Sequence, residues 1–269
     1  RPIFLLDRSN YKSRWRNGNM MFSGKTLLIT GGSRGIGKKI CFEFAKRGCN
    51  IIFTYVRSSS ESKKIESELL KFGVNVISKK LNLNSNDDIK KFVENIKNLD
   101  IKIDFLINNA ASGVMKNSIE TTEKHWDWTM QINAKGPWIL SKSISKLMPS
   151  KSRIINISSP GSTKVLNNYF SIGVSKAALE SITRYMAFDL ASKGINVNSI
   201  SASMIETDAI KHFPNQDEIE KIISRENPKK QKLLAEDIAK ASVMLCSEES
   251  EMIIGQNILV DGGDTLLLS

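Results

Sequence analysis

The sequence is expected to fold as a single doubly wound α/β domain built on a seven-stranded parallel sheet. Three observations carry that expectation. From Lys25 onward, short apolar runs alternate with longer amphipathic ones, the pattern of repeated β–α–β units. A glycine cluster closes the first apolar run and opens the first amphipathic one. A chain of 269 residues, 41% hydrophobic and 25% charged, suits one globular domain with an ordinary core.

Strands are expected at 26–30, 50–55, 74–79, 103–107, 153–158, 196–200 and 257–260. Several, such as Leu27-Leu28-Ile29 and Ile51-Ile52-Phe53, are continuously apolar, as strands covered on both faces should be. Between them, 36–47, 60–72, 86–98, 122–147, 171–192 and 235–246 carry the helical period. The irregular stretch 203–233 lies between the sixth strand and the last helix. Ligands bind beyond the carboxyl ends of such strands, so this stretch is expected to act as a substrate lid. There is no internal repeat and no low-complexity linker.

Residues 1–20 are set apart as a tail outside a domain at 21–269. The tail does not begin with methionine, and Met20-Met21 precedes the first structured segment. It reads as an expression remnant, a processed leader or a piece of a longer polypeptide; its Arg-rich, acid-poor character is compatible with a transit peptide. Five basic residues against Asp7 give the tail a net charge of +4, leaving +7 of the total +11 spread along the chain. That excess has two readings: a solvated lysine-rich surface, or a landing surface for an acidic partner or anionic cofactor. No basic stretch is interleaved with aromatics, so nucleic acid is not an expected partner. No apolar run approaches the roughly 18–20 residues that span a bilayer. Cys41, Cys49 and Cys246 form no CxxC pair, and His125 and His212 have no metal spacing. Reduced thiols, a cytoplasmic location and no metal site are therefore expected.

The first motif with chemistry is Thr30-Gly31-Gly32-Ser33-Arg34-Gly35-Ile36-Gly37. In a strand–turn–helix context, glycines permit a tight turn and let backbone N–H groups approach a phosphate. Gly31, Ser33, Arg34, Gly35, Ile36 and Gly37 are thus candidate dinucleotide contacts in a Rossmann-type fold. The second strand ends Thr54-Tyr55-Val56-Arg57-Ser58, without the acid that usually meets an unphosphorylated ribose. Arg57 and Arg34 can clamp a 2′-phosphate instead, which favours NADPH; the alternative is that both face solvent.

Further motifs follow: Asn108-Asn109-Ala110, Asn133, Ser159, Ser175-Lys176-Ala177-Ala178, Ile254-Gly255-Gln256 and Val260-Asp261-Gly262-Gly263. Together with the glycine turn they resemble the short-chain dehydrogenase/reductases over about residues 24–263. The common form of that family has a tyrosine four residues before the lysine, where this chain has Ile172. Tyr169 stands seven before Lys176, a spacing that resembles the enoyl-acyl-carrier-protein reductases, most closely the NADPH-dependent enoyl reductase III type. Three stretches share that likeness: Asn109 to Val114, His125 to Met130, and Asn168-Tyr169 leading into Gly173-Val174-Ser175-Lys176. Residues 207–215 resemble that type's substrate loop.

The resemblance implies Tyr169, Lys176, Ser159 and Asn133 as catalytic residues. It implies Asn82, Leu83, Asn109, Ala110, Lys176, Ile205 and Thr207 as further cofactor contacts, and Ala111, Met204 and Phe213 beside the substrate. It also implies an acyl-carrier-protein or CoA thioester substrate and a homotetramer built through the helices near 122–147 and 171–192. Departures are Asn82 where an Asp is usual, Ala202-Ser203 for Pro-Gly, and Ala111 for glycine. Trp126 and Trp128 must face different sides of their helix, one toward the core and the other toward the site or a subunit contact. Tyr185 and Met186 are expected to pack within the helix after Lys176.

The spacing suits double-bond reduction. Helical offsets of four and seven both return near the lysine's face, but three residues move the hydroxyl roughly 4–5 Å along the axis. In ketone reduction the carbon that takes hydride bears the oxygen that takes the proton. In enoyl-thioester reduction the charge appears on an oxygen further from that carbon, so the donor must stand back. Other readings stay open: a related NADPH reductase of a ketone or enone, a packed Tyr169 in a chain that lost its donor at 172, or a nucleotide sensor on this fold.

Overall fold

Leu27, Leu28 and Ile29 are all fully buried, although successive side chains of a strand point to opposite faces. Leu27 and Ile29 enter one hydrophobic core and Leu28 the other. Ile51 and Phe53 against Ile52, and Phe105 and Ile107 against Leu106, divide in the same way. The computed structural model, which describes residues 20–57, 59–203, 205 and 226–266, therefore has three layers, with helices on both faces of one sheet.

In chain order the elements are β1 (Thr26–Ile29), α1 (Gly35–Ala45), β2 (Asn50–Tyr55), α2 (Ser59–Leu70), β3 (Val76–Lys80), α3 (Asn86–Lys97) and β4 (Phe105–Asn108). There follow α4 (Glu123–Met130), α5 (Gly136–Ile144), β5 (Ser152–Ser158), α6 (Phe170–Ala191), β6 (Ile195–Ala202), α7 (Ala235–Cys246) and β7 (Asn257–Val260). The seven strands pair in parallel in the order β3-β2-β1-β4-β5-β6-β7. The winding reverses between β1 and β4, and a ligand crevice opens beyond their carboxyl ends.

Three expectations are corrected. The helix expected over 122–147 is broken: a π-helical turn, Gln131–Lys135, separates α4 from α5. Pro137, in the first turn of α5, lacks an N–H and crowds the carbonyl four residues back, so the chain widens there. Residues 103 and 104 precede β4 because the Asp104 side chain bonds to Lys25 and the Thr26 N–H. Tyr185 does not pack: it is 73% exposed on α6, whereas Met186 is buried.

At the amino end of the sheet Phe22 stacks on Phe44 with ring centroids 5.1 Å apart and meets Phe105 at 4.8 Å. All three cysteines are free and buried, and burial raises each thiol above its ordinary range. Among the described residues no helix is long and apolar enough to cross a membrane.

Candidate active site

Thr30 directly follows β1, with its side chain fully buried. Its hydroxyl oxygen accepts from the backbone N–H of Asn109 at 3.0 Å and of Ala110 at 3.1 Å. The Asn109 amide donates back to the carbonyls of Thr30 and Gly31 at 2.9 and 3.1 Å. The loops after β1 and β4 are thus one bonded unit. Gly31 has a φ of +69°, the left-handed region that favours glycine. A Cβ on Gly37 would lie 2.3 Å from the Gly31 carbonyl, so the turn folds directly onto the start of α1.

The first N–H groups of α1 are available to an anion. Ser85 caps α3 and Thr122 caps α4 with side-chain oxygens, but Arg34, at the same place before α1, makes no such bond. The first turn of α1 holds no acidic residue. These features fit a dinucleotide phosphate. The Gly31 and Gly32 N–H groups bond to Thr54 at the end of β2, which brings the turn beside that strand. Arg34 and Arg57, exposed at these two places, form no ion pair among the described residues. Ser33 and Ile36 are half-buried. The side-chain oxygen of Asn82 already accepts the Asn84 N–H at 3.0 Å, which leaves its amide N–H groups to face a ligand. Leu83 and Ile205 are core residues, so any contact they offer a nucleotide comes from their backbone.

Tyr169 is the residue before α6 and not part of its first turn, with φ −104° and a side chain free of capping duty. Ser159 lies beside its phenol. Burial raises its pKa above the usual phenol value, and the neighbouring Ser159 hydroxyl works in the opposite direction. Lys176 is buried and donates from Nζ to the Ile157 carbonyl of β5 at 2.7 Å. Burial lowers its pKa to about 8, opposed by the nearby Glu180 carboxylate. Between that value and the lysine's ordinary 10.5 the unfolded chain holds more protons. Stability therefore rises with pH across that window, and the buried charge costs most below it.

Asn133 sits in the π-helical turn, fully buried. It accepts the Ser112 N–H at 2.9 Å and donates to Ser175 at 3.0 Å. It thus braces the loop after β4 against the residue next to Lys176. Ser175 and Thr30 complete this bonded scaffold, and sequence reasoning gave neither a role. Both lay inside quoted motifs, but their partners are distant in the chain.

The vacated position is filled. Ile172 is buried, and a Cβ on Gly113 would lie 2.3 Å from its Cγ1. The isoleucine is therefore packed against the loop after β4, with Thr129 beside the same glycine. Trp126 meets Phe170 at 5.6 Å, next to Tyr169. Neither Trp126 nor Trp128 is fully buried, which corrects the expectation that one is core; Trp128 lines an open groove of about 1040 Å³ with Trp138 and Ile182. Ala111 is exposed beside the crevice. The tail up to residue 19 and Met204, Thr207, His212 and Phe213 lie outside the described residues.

A doubly wound sheet with a glycine turn at its switch point is the architecture of dinucleotide-dependent oxidoreductases. A family model described as enoyl-(acyl carrier protein) reductase matches residues 31–265. The chain belongs to the short-chain dehydrogenase/reductase family. It is 34% identical over 259 residues to an uncharacterized oxidoreductase of Thermotoga maritima, covering 91% of this chain and 99% of that one. It is 28% identical over 240 residues to the 1-cyclohexenylcarbonyl-CoA reductase of Streptomyces collinus, covering 88% and 85%. A short-chain dehydrogenase of Burkholderia cenocepacia in complex with NADP superposes with a TM-score of 0.84 at 25% identity, covering 91% and 99%.

Gly113→Ala is expected to destabilise the protein by about 1–3 kcal/mol through overpacking on Ile172. Ile172→Ala in the same chain should recover part of that loss, read as a coupling energy in urea unfolding of the four-member cycle.

Proposed function

We propose that the protein reduces the trans-2 double bond of an enoyl thioester, carried by acyl carrier protein or CoA, with NADPH in fatty-acid synthesis. The observation that carries this reading is the placement of the Tyr169 phenol beside Ser159 while Ile172 is packed away against Gly113. The one side chain at the ordinary donor spacing cannot give a proton, and the one that can stands ahead of the helix.

Gly31, Gly35 and Gly37 with the open start of α1 would hold the pyrophosphate, Arg34 and Arg57 the 2′-phosphate, and Lys176 the nicotinamide ribose. When bound, NADPH supplies the hydride. Tyr169 hydrogen-bonds the thioester carbonyl oxygen, where negative charge appears only as the double bond is attacked. Its raised pKa keeps the phenol protonated at neutral pH, as a donor requires. The charge on Lys176 favours that build-up, and Asn133 holds the loop and α6 in register. Met204, Thr207 and Phe213 belong to the segment that would cover the acyl chain.

The Streptomyces relative supports the thioester class, since its substrate name joins an alkene to CoA. A second reading, ketone reduction, draws support from the L-xylulose reductase of Caenorhabditis elegans, 29% identical over 251 residues, and Ile172 speaks against it. The exposed Tyr185 and Phe188 of α6 and Trp138 of α5 support self-association, as a tetramer.

The deciding experiment offers enoyl thioesters beside matched 3-ketoacyl thioesters and follows NADPH consumption. Turnover of the enoyl set alone is expected, and turnover confined to the keto set sinks the proposal. Arg57→Asp should raise the Michaelis constant for NADPH at least about tenfold more than that for NADH, the loss of a charge-assisted contact. For enoyl reduction, kcat/KM should fall as pH rises through about 8, where free Lys176 loses its charge. A flat profile across that range would remove the lysine's charge from the mechanism.

A further inference from the structure

Two features hold Tyr169 that no catalytic assignment includes. Asn168, immediately before it, has a φ of +56°, in the left-handed region. Asparagine is among the few side chains that enter this region readily, and β-branched residues do so only under strain. The turn is closed on both sides: the Tyr169 N–H donates to the Leu166 carbonyl at 3.1 Å, and its own carbonyl accepts the Gly173 N–H at 2.7 Å. Lys116, from the loop after β4, forms a β-bridge with Tyr169.

The second feature is Gly161. A Cβ there would lie 2.6 Å from both Cδ1 and Cε1 of the Tyr169 ring. The Gly161 N–H donates to the Ser159 hydroxyl oxygen at 3.1 Å, and its carbonyl fills the space where a Cβ on Gly173 would go, 2.6 Å away. One bare residue thus seats the ring, orients the serine and touches the start of α6.

We propose that Asn168 and Gly161 are positioning residues for the Tyr169 hydroxyl. Asn168 holds the left-handed turn that carries the ring ahead of α6, and Gly161 leaves the space in which the ring meets Ser159. This rests on the reading of Tyr169 as the proton donor. A methyl at 161 forces the ring back by about 1 Å, a displacement that costs on the order of 100-fold in rate when it affects a reacting group.

The test compares the full-length protein with Asn168→Gly, Asn168→Val and Gly161→Ala, each also combined with Tyr169→Phe. Subtracting the Phe background isolates the ultraviolet titration of Tyr169 from the chain's other three tyrosines. Asn168→Val and Gly161→Ala should lower kcat about 100-fold while the NADPH Michaelis constant stays within about twofold. In both, the Tyr169 titration should shift from the parent's, because its burial and its approach to Ser159 both change. Asn168→Gly, which keeps the conformation without the side chain, should track the parent in both readouts. An Asn168→Gly as impaired as Asn168→Val, or a Tyr169 titration unmoved in Gly161→Ala, overturns the proposal. Should Asn168→Val not fold, Asn168→Ala takes its place with the same outcomes. The titration needs no substrate. If the parent reduces no enoyl thioester yet the titrations separate as stated, the seat stands and the reaction assignment falls.

Discussion

The winding of the sheet reverses between β1 and β4, and one buried hydroxyl holds the two strands together at that point. Thr30 accepts both N–H groups that open the loop after β4, and Asn109 returns two bonds to the loop after β1. A buried backbone N–H without a partner costs about 1–3 kcal/mol, so this small network fixes the crevice floor before any ligand arrives. The glycine turn is positioned from the same residue. The loop that reaches Ser112 and Gly113 also starts there, and it meets Asn133 and Ile172 further on. The two ends of the proposed site therefore share one anchor.

From that anchor the chemistry separates by how each side chain is held. Lys176 is fixed within α6 and against the Ile157 carbonyl of β5. Tyr169 sits outside the helix, on a turn, against bare backbone. Cation and hydroxyl are thus positioned by different parts of the chain. Ile172 completes the arrangement by filling the nearer position with apolar contact to the neighbouring loop.

Features written in local sequence were legible. β2 falls on its expected residues through its continuous apolar run and β7 through the alternation of Ile258 and Val260 with more exposed neighbours, and the glycine turn declares itself through its neighbours. The break at Gln131–Lys135 needed the consequence of Pro137 to be followed back through the helix. Tyr169 and Lys176 were picked out by their spacing together with the family resemblance. What their side chains touch depends on Gly161, Gly113 and Asn133, which reach them only through tertiary packing. Leu83 and Ile205 show the same limit: a motif position says that a residue borders the nucleotide, but not whether its side chain or its backbone does so.

The three thiols have a practical consequence. Cys41, Cys49 and Cys246 are sealed inside the fold, and burial opposes formation of the thiolate that alkylating reagents attack. The folded protein is thus expected to react only slowly with maleimides. A single cysteine placed at a solvent-facing position such as Val165, between Ser159 and Tyr169 in the chain, would be its one reactive label. A fluorophore there would report on the segment that joins Ser159 to Tyr169 without removal of any native residue from the core.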